Sequence, residues 1–215
     1  RCFIESRGAK AAFLGYNGFP EAICISLNEE VVHGIPCERA LREGDLVKID
    51  LGVYMDGFYG DMARTYLVGG VSGKAEVLIE DTRKSFWRGA AQAVPGKRVG
   101  DIGWAVQSYL EPLGYGVVRA LVGHGVGRRL HEDPQVPNYG RPGAGNMLKA
   151  GMALAIEPMV NLGAWEVEVL EDNWTTVTAD GSLSAHYENT CLVGDGFPEI
   201  LTLMSGEEII YHVEE

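Results

Sequence analysis

Asp50 and Asp61 stand eleven residues apart in a stretch, residues 46–69, that is otherwise apolar, β-branched and aromatic. Two further acids, Glu157 and Glu188, sit in runs of similar character, and His124 stands between Gly123 and Gly125. Carboxylates among apolar residues are costly unless a shared proton, an arginine or a cation neutralises them. Arg64 is close in sequence to Asp61, so an ion pair is the plain alternative. Two divalent cations would neutralise the whole set. Carboxylates with one imidazole suit Mn²⁺, Fe²⁺ or Co²⁺ at least as well as Zn²⁺, which leans toward His and Cys. A carboxylate-bridged pair of such ions lowers the pKa of a bridging water and polarises a carbonyl. Asp50, Asp61, His124, Glu157 and Glu188 are therefore the candidate ligands. Each has an ordinary reading by itself: His124 as a turn residue, His131 as the ion-pair partner of Glu132, His33 as the cap of its turn. His186 and His212 are read as structural or surface residues.

The elements around these residues set where they point. Asp56-Gly57 between two β-prone runs predicts a hairpin, and a turn there pairs residue 50 with 63 and residue 52 with 61. Side chains alternate along a strand, so Asp50 and Asp61 fall on one face, one diagonal step apart. Upstream, residues 1–10 read as the end of a helix stopped near Gly8. Residues 22–27 read as a strand and residues 28–36 as a turn carrying His33. Residues 73–94 repeat Leu78, Thr82, Phe86, Ala90 and Val94 every fourth position, a helix ended by Pro95-Gly96. A second helix starts with Asp101 as N-cap and stops at Gly114. Trp87, Trp104 and Tyr109 read as core. Beyond it a strand from Val117 enters a glycine-rich turn with His124 and His131, followed by a loop over residues 134–148. Residues 152–160, 183–193 and 209–213 read as strands, and residues 167–170 with 174–178 as a hairpin. A faint repeat links residues 44–50 with 151–157, each a glycine followed six residues later by an acid, and residues 65–69 with 190–194. Chance similarity of two buried strands explains it as well as a true duplication; a duplication would converge four carboxylates near a pseudo-twofold axis.

Composition excludes several classes. The 215 residues carry a net charge of −12, against a nucleic-acid surface, which needs clustered Lys and Arg. No apolar run is long enough to span a membrane. Cys2, Cys24, Cys37 and Cys191 show no zinc spacing and read as free thiols in a reducing cytosol. Residues 68–75 fail the P-loop pattern and residues 123–127 the dinucleotide one. The chain begins at Arg1, which reads as an upstream segment left out.

Together, the run from Asn28 through His33 to Pro36, the Asp50/Asp61 pair, Gly123-His124-Gly125 with His131, Glu157-Pro158-Met159 and the segment 184–190 around Glu188 resemble the type I methionine aminopeptidases. The resemblance spans residues 13–193. It implies an α+β pita-bread fold, two pseudo-symmetric halves of antiparallel strands covered by helices. These would be one catalytic domain divided at about 1–115 and 116–215, without the family's N-terminal segment. It implies removal of initiator methionine before a small second residue, with two metal ions, Co²⁺, Mn²⁺, Fe²⁺ or Zn²⁺. Asp61 and Glu188 would bridge them, with Asp50, His124 and Glu157 completing the set and Glu157 acting as base. His33 would contact the scissile amide and His131 the carbonyl. Phe13, Tyr16, Phe19, Cys24, Leu130 and Trp174 would form the methionine pocket; without the resemblance, Phe13, Tyr16 and Phe19 read as core. It further implies a cytoplasmic monomer acting on nascent polypeptide N-termini near the ribosome. His186, Asn189 and Leu130 depart from the common family pattern, which bears on pocket shape and on the support behind the ligands. A prolidase or aminopeptidase P relative, or a non-catalytic binding module of the same fold, are the alternatives.

Overall fold

The computed structural model describes residues 1–70, 73–194 and 196–210. In chain order the elements are α1 (Cys2–Ser6), β1 (Lys10–Ala11), β2 (Cys24–Leu27), β3 (Glu30–Val32), β4 (Leu46–Met55), β5 (Phe58–Leu67), α2 (Gly73–Ala90), α3 (Val99–Leu110) and β6 (Gly116–Val117). There follow β7 (Gly123–Gly125), β8 (Glu132–Val136), β9 (Ala153–Ile156), β10 (Met159–Asn161), β11 (Val167–Val169), β12 (Thr176–Thr178), β13 (Ser184–His186), β14 (Glu188–Leu192) and β15 (Glu199–Ile200). The main sheet has the order β1-β4-β5-β14-β9-β7-β8, with β2 also on β4 and β15 on β14. Two three-stranded sheets, β13-β10-β6 and β11-β12-β3, lie beside it.

The β4–β5 hairpin turns on Asp56 and Gly57, both at positive φ, 50° and 91°. Two consecutive positive φ values match the right-handed twist of the flanking strands. The ladder then runs in the predicted register, Asp50 opposite Ala63 and Gly52 opposite Asp61. Strand β14 docks on the other side of β5 with Glu188 opposite Ala63. It continues against β9 with Thr190 opposite Ala155, and Ala155 is opposite His124 of β7. Directly opposed residues share a face and alternate residues return to it. Asp50, Asp61, Glu188 and His124 therefore share one face, with Ala63 and Ala155 as small residues between them.

The opposite face is the core. Leu154, Ile156 and Cys191 pack there against Phe86 and Trp87 of α2 and Ile102 of α3. A second cluster joins Leu78, Val106 and Leu110 of the same helices to Leu46, Val160 and Ala185. The helical periodicity over residues 73–94 thus places its apolar stripe on the sheet, although α2 ends at Ala90.

Several expectations are corrected. His124 sits in strand β7, not in a turn. A Cβ at Gly123 would press into the Ala155 carbonyl, and one at Gly125 into the Asp133 carbonyl; the flanking glycines let β7 lie tightly between β9 and β8. Residues 28–36 include β3, because Val31 and Val32 are buried. The strand over 152–160 is broken at Glu157-Pro158, and that over 183–193 at Tyr187, each passing from one sheet to another. Asp101 lies inside α3, where its carboxylate accepts the Arg98 N–H at 2.7 Å. Trp104 is 45% exposed, so it is not core. Ile209 and Ile210 form no strand, and residues 211–213, with His212, lie outside the described residues.

Candidate metal centre

Asp50, Asp61, His124, Glu157 and Glu188 line one cavity of about 220 Å³ together with His33 and His131. Strands β4, β5, β7 and β14 each supply one ligand candidate, and Glu157 follows the last residue of β9. Ligand atoms of Asp61, His124 and Glu188 lie within 4.8 Å of one another. His124 Nε2 is 3.6 Å from Glu157 Oε1 and 4.0 Å from Asp61 Oδ2.

The electrostatics of this cluster are unfavourable as protein alone. Burial, and then the neighbouring acids, hold Asp50, Glu157 and Glu188 well above the usual carboxylate range. Burial lifts Asp61 to about 7, opposed by a hydrogen bond from the Met62 N–H. Asp50 Oδ1 and Asp61 Oδ1 are buried with no hydrogen-bond partner. Among the described residues, the ion-pair contacts of these acids involve His124 and His186. His124 is pushed down to about 4, chiefly by burial and then by His131. Its Nδ1 lies 2.9 Å from the Gly125 carbonyl, which can only accept, so the ring proton sits on Nδ1. The Nε2 lone pair then faces two carboxylates. Lone pairs and orphaned anionic oxygens converging on one point fit a divalent cation, and the donor set is of the hard oxygen-plus-imidazole kind.

The other wall of the cavity is aromatic. Phe13, Tyr16, Asn17, Phe19, Cys24, Leu130 and Trp174 line it. Phe19 and Trp174 meet edge to face at 5.1 Å between centroids. Cys24 is opposite Asp50 in the β2–β4 ladder, and burial beside that acid drives its thiol far above the usual range, so it stays protonated. Tyr16 stacks on His131, with its hydroxyl 2.8 Å from Nδ1. Burial lowers the pKa of His131 and of His33, leaving both neutral at pH 7. His33 holds a positive φ of 60° immediately after the last residue of β3.

Three residues stand apart from the sequence reading. Asn17 lines the aromatic wall from a left-handed conformation, φ 49°; the glycines at 15 and 18 were its available signal. His186 is buried, with Nε2 3.9 Å from Glu157 Oε2, so a surface position is ruled out. Arg64 does not pair with Asp50 or Asp61. It alternates to the opposite face of β5 and binds Glu207.

Residues 2–195 match the model of metallopeptidase family M24. The chain is 54% identical over 202 residues to a methionine aminopeptidase of Clostridium acetobutylicum, covering 94% of this chain and 81% of that relative. Its structure superposes on the crystal structure of a methionine aminopeptidase from Rickettsia prowazekii with a TM-score of 0.92 and 46% identity, covering 94% of this chain and 82% of that one. A prolidase from Pyrococcus horikoshii shares the fold, with a TM-score of 0.68 at 24% identity over 85% of this chain and 48% of that one.

Proposed function

The chain belongs to metallopeptidase family M24, among its methionine aminopeptidases, and from that premise we propose that it removes the N-terminal methionine of nascent polypeptides, preferring a small second residue. Its α+β architecture is the pita-bread fold of that family. The observation that carries the activity is that the acid-lined wall and the aromatic, sulfur-bearing wall close one cavity. Such a wall suits an unbranched thioether side chain.

Divalent metal comes with the family. Our reading is two ions, Co²⁺, Mn²⁺, Fe²⁺ or Zn²⁺, held by Asp50, Asp61, His124, Glu157 and Glu188, with Asp61 and Glu188 shared. When bound they would supply Lewis acidity toward the scissile carbonyl and a water of lowered pKa. Glu157 takes the proton of the attacking water as general base. The substrate's α-amino group lodges at the acid wall, which restricts cleavage to the first residue. His131 Nδ1 lies 2.8 Å from the Tyr16 hydroxyl; with that hydroxyl as the donor, the ring proton is on Nε2 and hydrogen-bonds the carbonyl oxygen as negative charge develops there. His33 contacts the scissile amide and assists the leaving amine.

We further read the chain as a single catalytic domain of two halves, about 1–115 and 116–215. The sheet order supports this, since β4-β5 and β9-β14 flank a common seam. The free thiols of Cys2, Cys24, Cys37 and Cys191 fit a reducing compartment, and we read the setting as cytoplasmic, with a monomer acting near the ribosome, as the family resemblance implies. No helix among the described residues is long and apolar enough to cross a membrane.

Mass spectrometry of Met-Ala-Ser and Ala-Pro-Ala peptides, with metal-free protein and then with Mn²⁺, Fe²⁺ or Co²⁺, tests the activity. Metal-dependent loss of Met alone is expected. Cleavage before proline, or no cleavage with any metal, would sink the reading.

A further inference from the structure

Strands β4 and β5 pair along their whole length, from Leu46 opposite Leu67 to Met55 opposite Phe58. The seam between β5 and β14, the strands that carry Asp61 and Glu188, has two ladder pairs, Glu188 with Ala63 and Asn189 with Met62. Side chains do the remaining work. Thr190 Oγ1 accepts the Asp61 N–H at 2.9 Å and lies 3.0 Å from the Asp61 carbonyl. Behind the seam stands Arg64, 4% exposed, with all five of its N–H donors used. Nη1 reaches the carbonyls of Ala63 at 2.8 Å and Glu188 at 2.5 Å, and Nη2 reaches Asn189 Oδ1 at 2.9 Å. The last two donors form a fork on Glu207, Nε to Oε1 and Nη2 to Oε2, each 2.6 Å. The guanidinium lies over the Tyr187 ring at 4.0 Å.

Glu207 belongs to the C-terminal segment, which touches the seam a second time. Thr202 Oγ1 accepts the Thr190 N–H at 3.0 Å and lies 3.0 Å from Asn189 Oδ1 and 3.4 Å from the Asp61 carbonyl. Glu207 is itself held by the Met204 N–H at 2.9 Å. The oxygens that Arg64 meets other than those of Glu207 are neutral, so Glu207 is the anion that balances it. A two-pronged pair also fixes the plane of the guanidinium, which a single bond would not.

We propose that Glu207, acting through Arg64, is a positioning residue: the C-terminal segment clamps the β5–β14 seam from behind and so sets the distance between Asp61 and Glu188. The proposal rests on those two acids being shared metal ligands. None of these groups touches the substrate, so their effect is on ligand spacing and on the chemistry that depends on it.

The test is Glu207→Gln in the full chain, with Mn²⁺ titration by calorimetry, steady-state kinetics, and amide hydrogen exchange of the metal-free protein. The expected result is a Mn²⁺ Kd raised about tenfold, a lower kcat with little change in KM, and faster exchange of the Asp61 and Thr190 amides. Glu207→Asp should recover part of each change. A tether that served only global stability would lower Tm while leaving Kd and the local exchange at wild-type values, and that result would overturn the proposal. If Glu207→Gln does not fold, Thr202→Val gives the same readouts at smaller size. Failure of the wild type to bind Mn²⁺ would instead remove the ligand assignment, while exchange still decides whether Glu207 clamps the seam.

Discussion

The two walls of the cavity are built differently. The acid wall stands on paired strands, so period-two alternation and ladder register dictate which side chains meet. The aromatic wall is collected from a loop before β2, from β2 itself, from the turn before β8 and from the turn before β12. Phe13, Tyr16 and Asn17 lie far in sequence from Leu130 and Trp174. A site that needs ligand spacing held to a fraction of an ångström sits on the rigid part; a site that must admit a flexible side chain sits on the adaptable part. Substitutions on the two walls should therefore fail in different ways, acid-wall changes in metal affinity and turnover, aromatic-wall changes in KM, except at Tyr16, which touches His131 and acts on turnover through it.

The largest effect is expected at Glu157. Glu157→Ala should lower kcat by about 10²–10⁴, the range of general-base contributions, and weaken metal binding, as single-turnover assays and metal titration would show. Turnover near wild type would erase the distinction between the walls. Next is Ala63, fully buried and opposite both Asp50 and Glu188. Ala63→Leu forces extra methylenes into that space, and overpacking of about 1–3 kcal/mol should show as weaker Mn²⁺ binding by calorimetry. An unchanged Kd would mean the space beside Ala63 is not where metal sits. Trp174→Ala should raise KM for Met-Ala-Ser about tenfold and leave the Mn²⁺ Kd alone; a shift in Kd would show the walls to be coupled. The smallest effect belongs to Tyr16→Phe, which removes the hydroxyl on His131 Nδ1. Loss of one hydrogen bond of about 1 kcal/mol should lower kcat roughly fivefold, measured at saturating peptide; no change would mean that Tyr16 does not set the His131 tautomer.

The same contrast explains what could be read in the sequence. The spacing of Asp50 and Asp61 about an Asp-Gly turn determines their shared face by local geometry alone, and the hairpin register follows the prediction pair for pair. That β14 docks on β5 and β9 on β14 depends on long-range pairing, which no local period encodes; the apolar runs around Glu157 and Glu188 mark them as candidate ligands, but their place beside Asp61 follows from that pairing. Proximity in sequence offers Arg64 as an alternative partner for Asp61, but strand alternation turns it to the other face, where its partner Glu207 is more than a hundred residues away in sequence. His186 reads as unremarkable next to Glu188 because its burial arises from the small sheet packing behind Glu157. Asn17 escapes because its place in the cavity comes from one left-handed backbone angle.

The two strand breaks have a further consequence. Ile156 pairs with Asn189 in the main sheet, and Met159 pairs with His186 in the small one. Between those pairs the two chain segments cross from sheet to sheet side by side, with Glu157 at one crossing and Glu188 beside the other. The result is a closed ring of backbone pinned at both ends by ladder bonds. Most of the conformational entropy of these two carboxylates is thus lost when the chain folds, not when an ion arrives. Affinity for metal then reports how well an ion matches a preset frame, so ions of different radius should be separated more by enthalpy than by the disorder they remove.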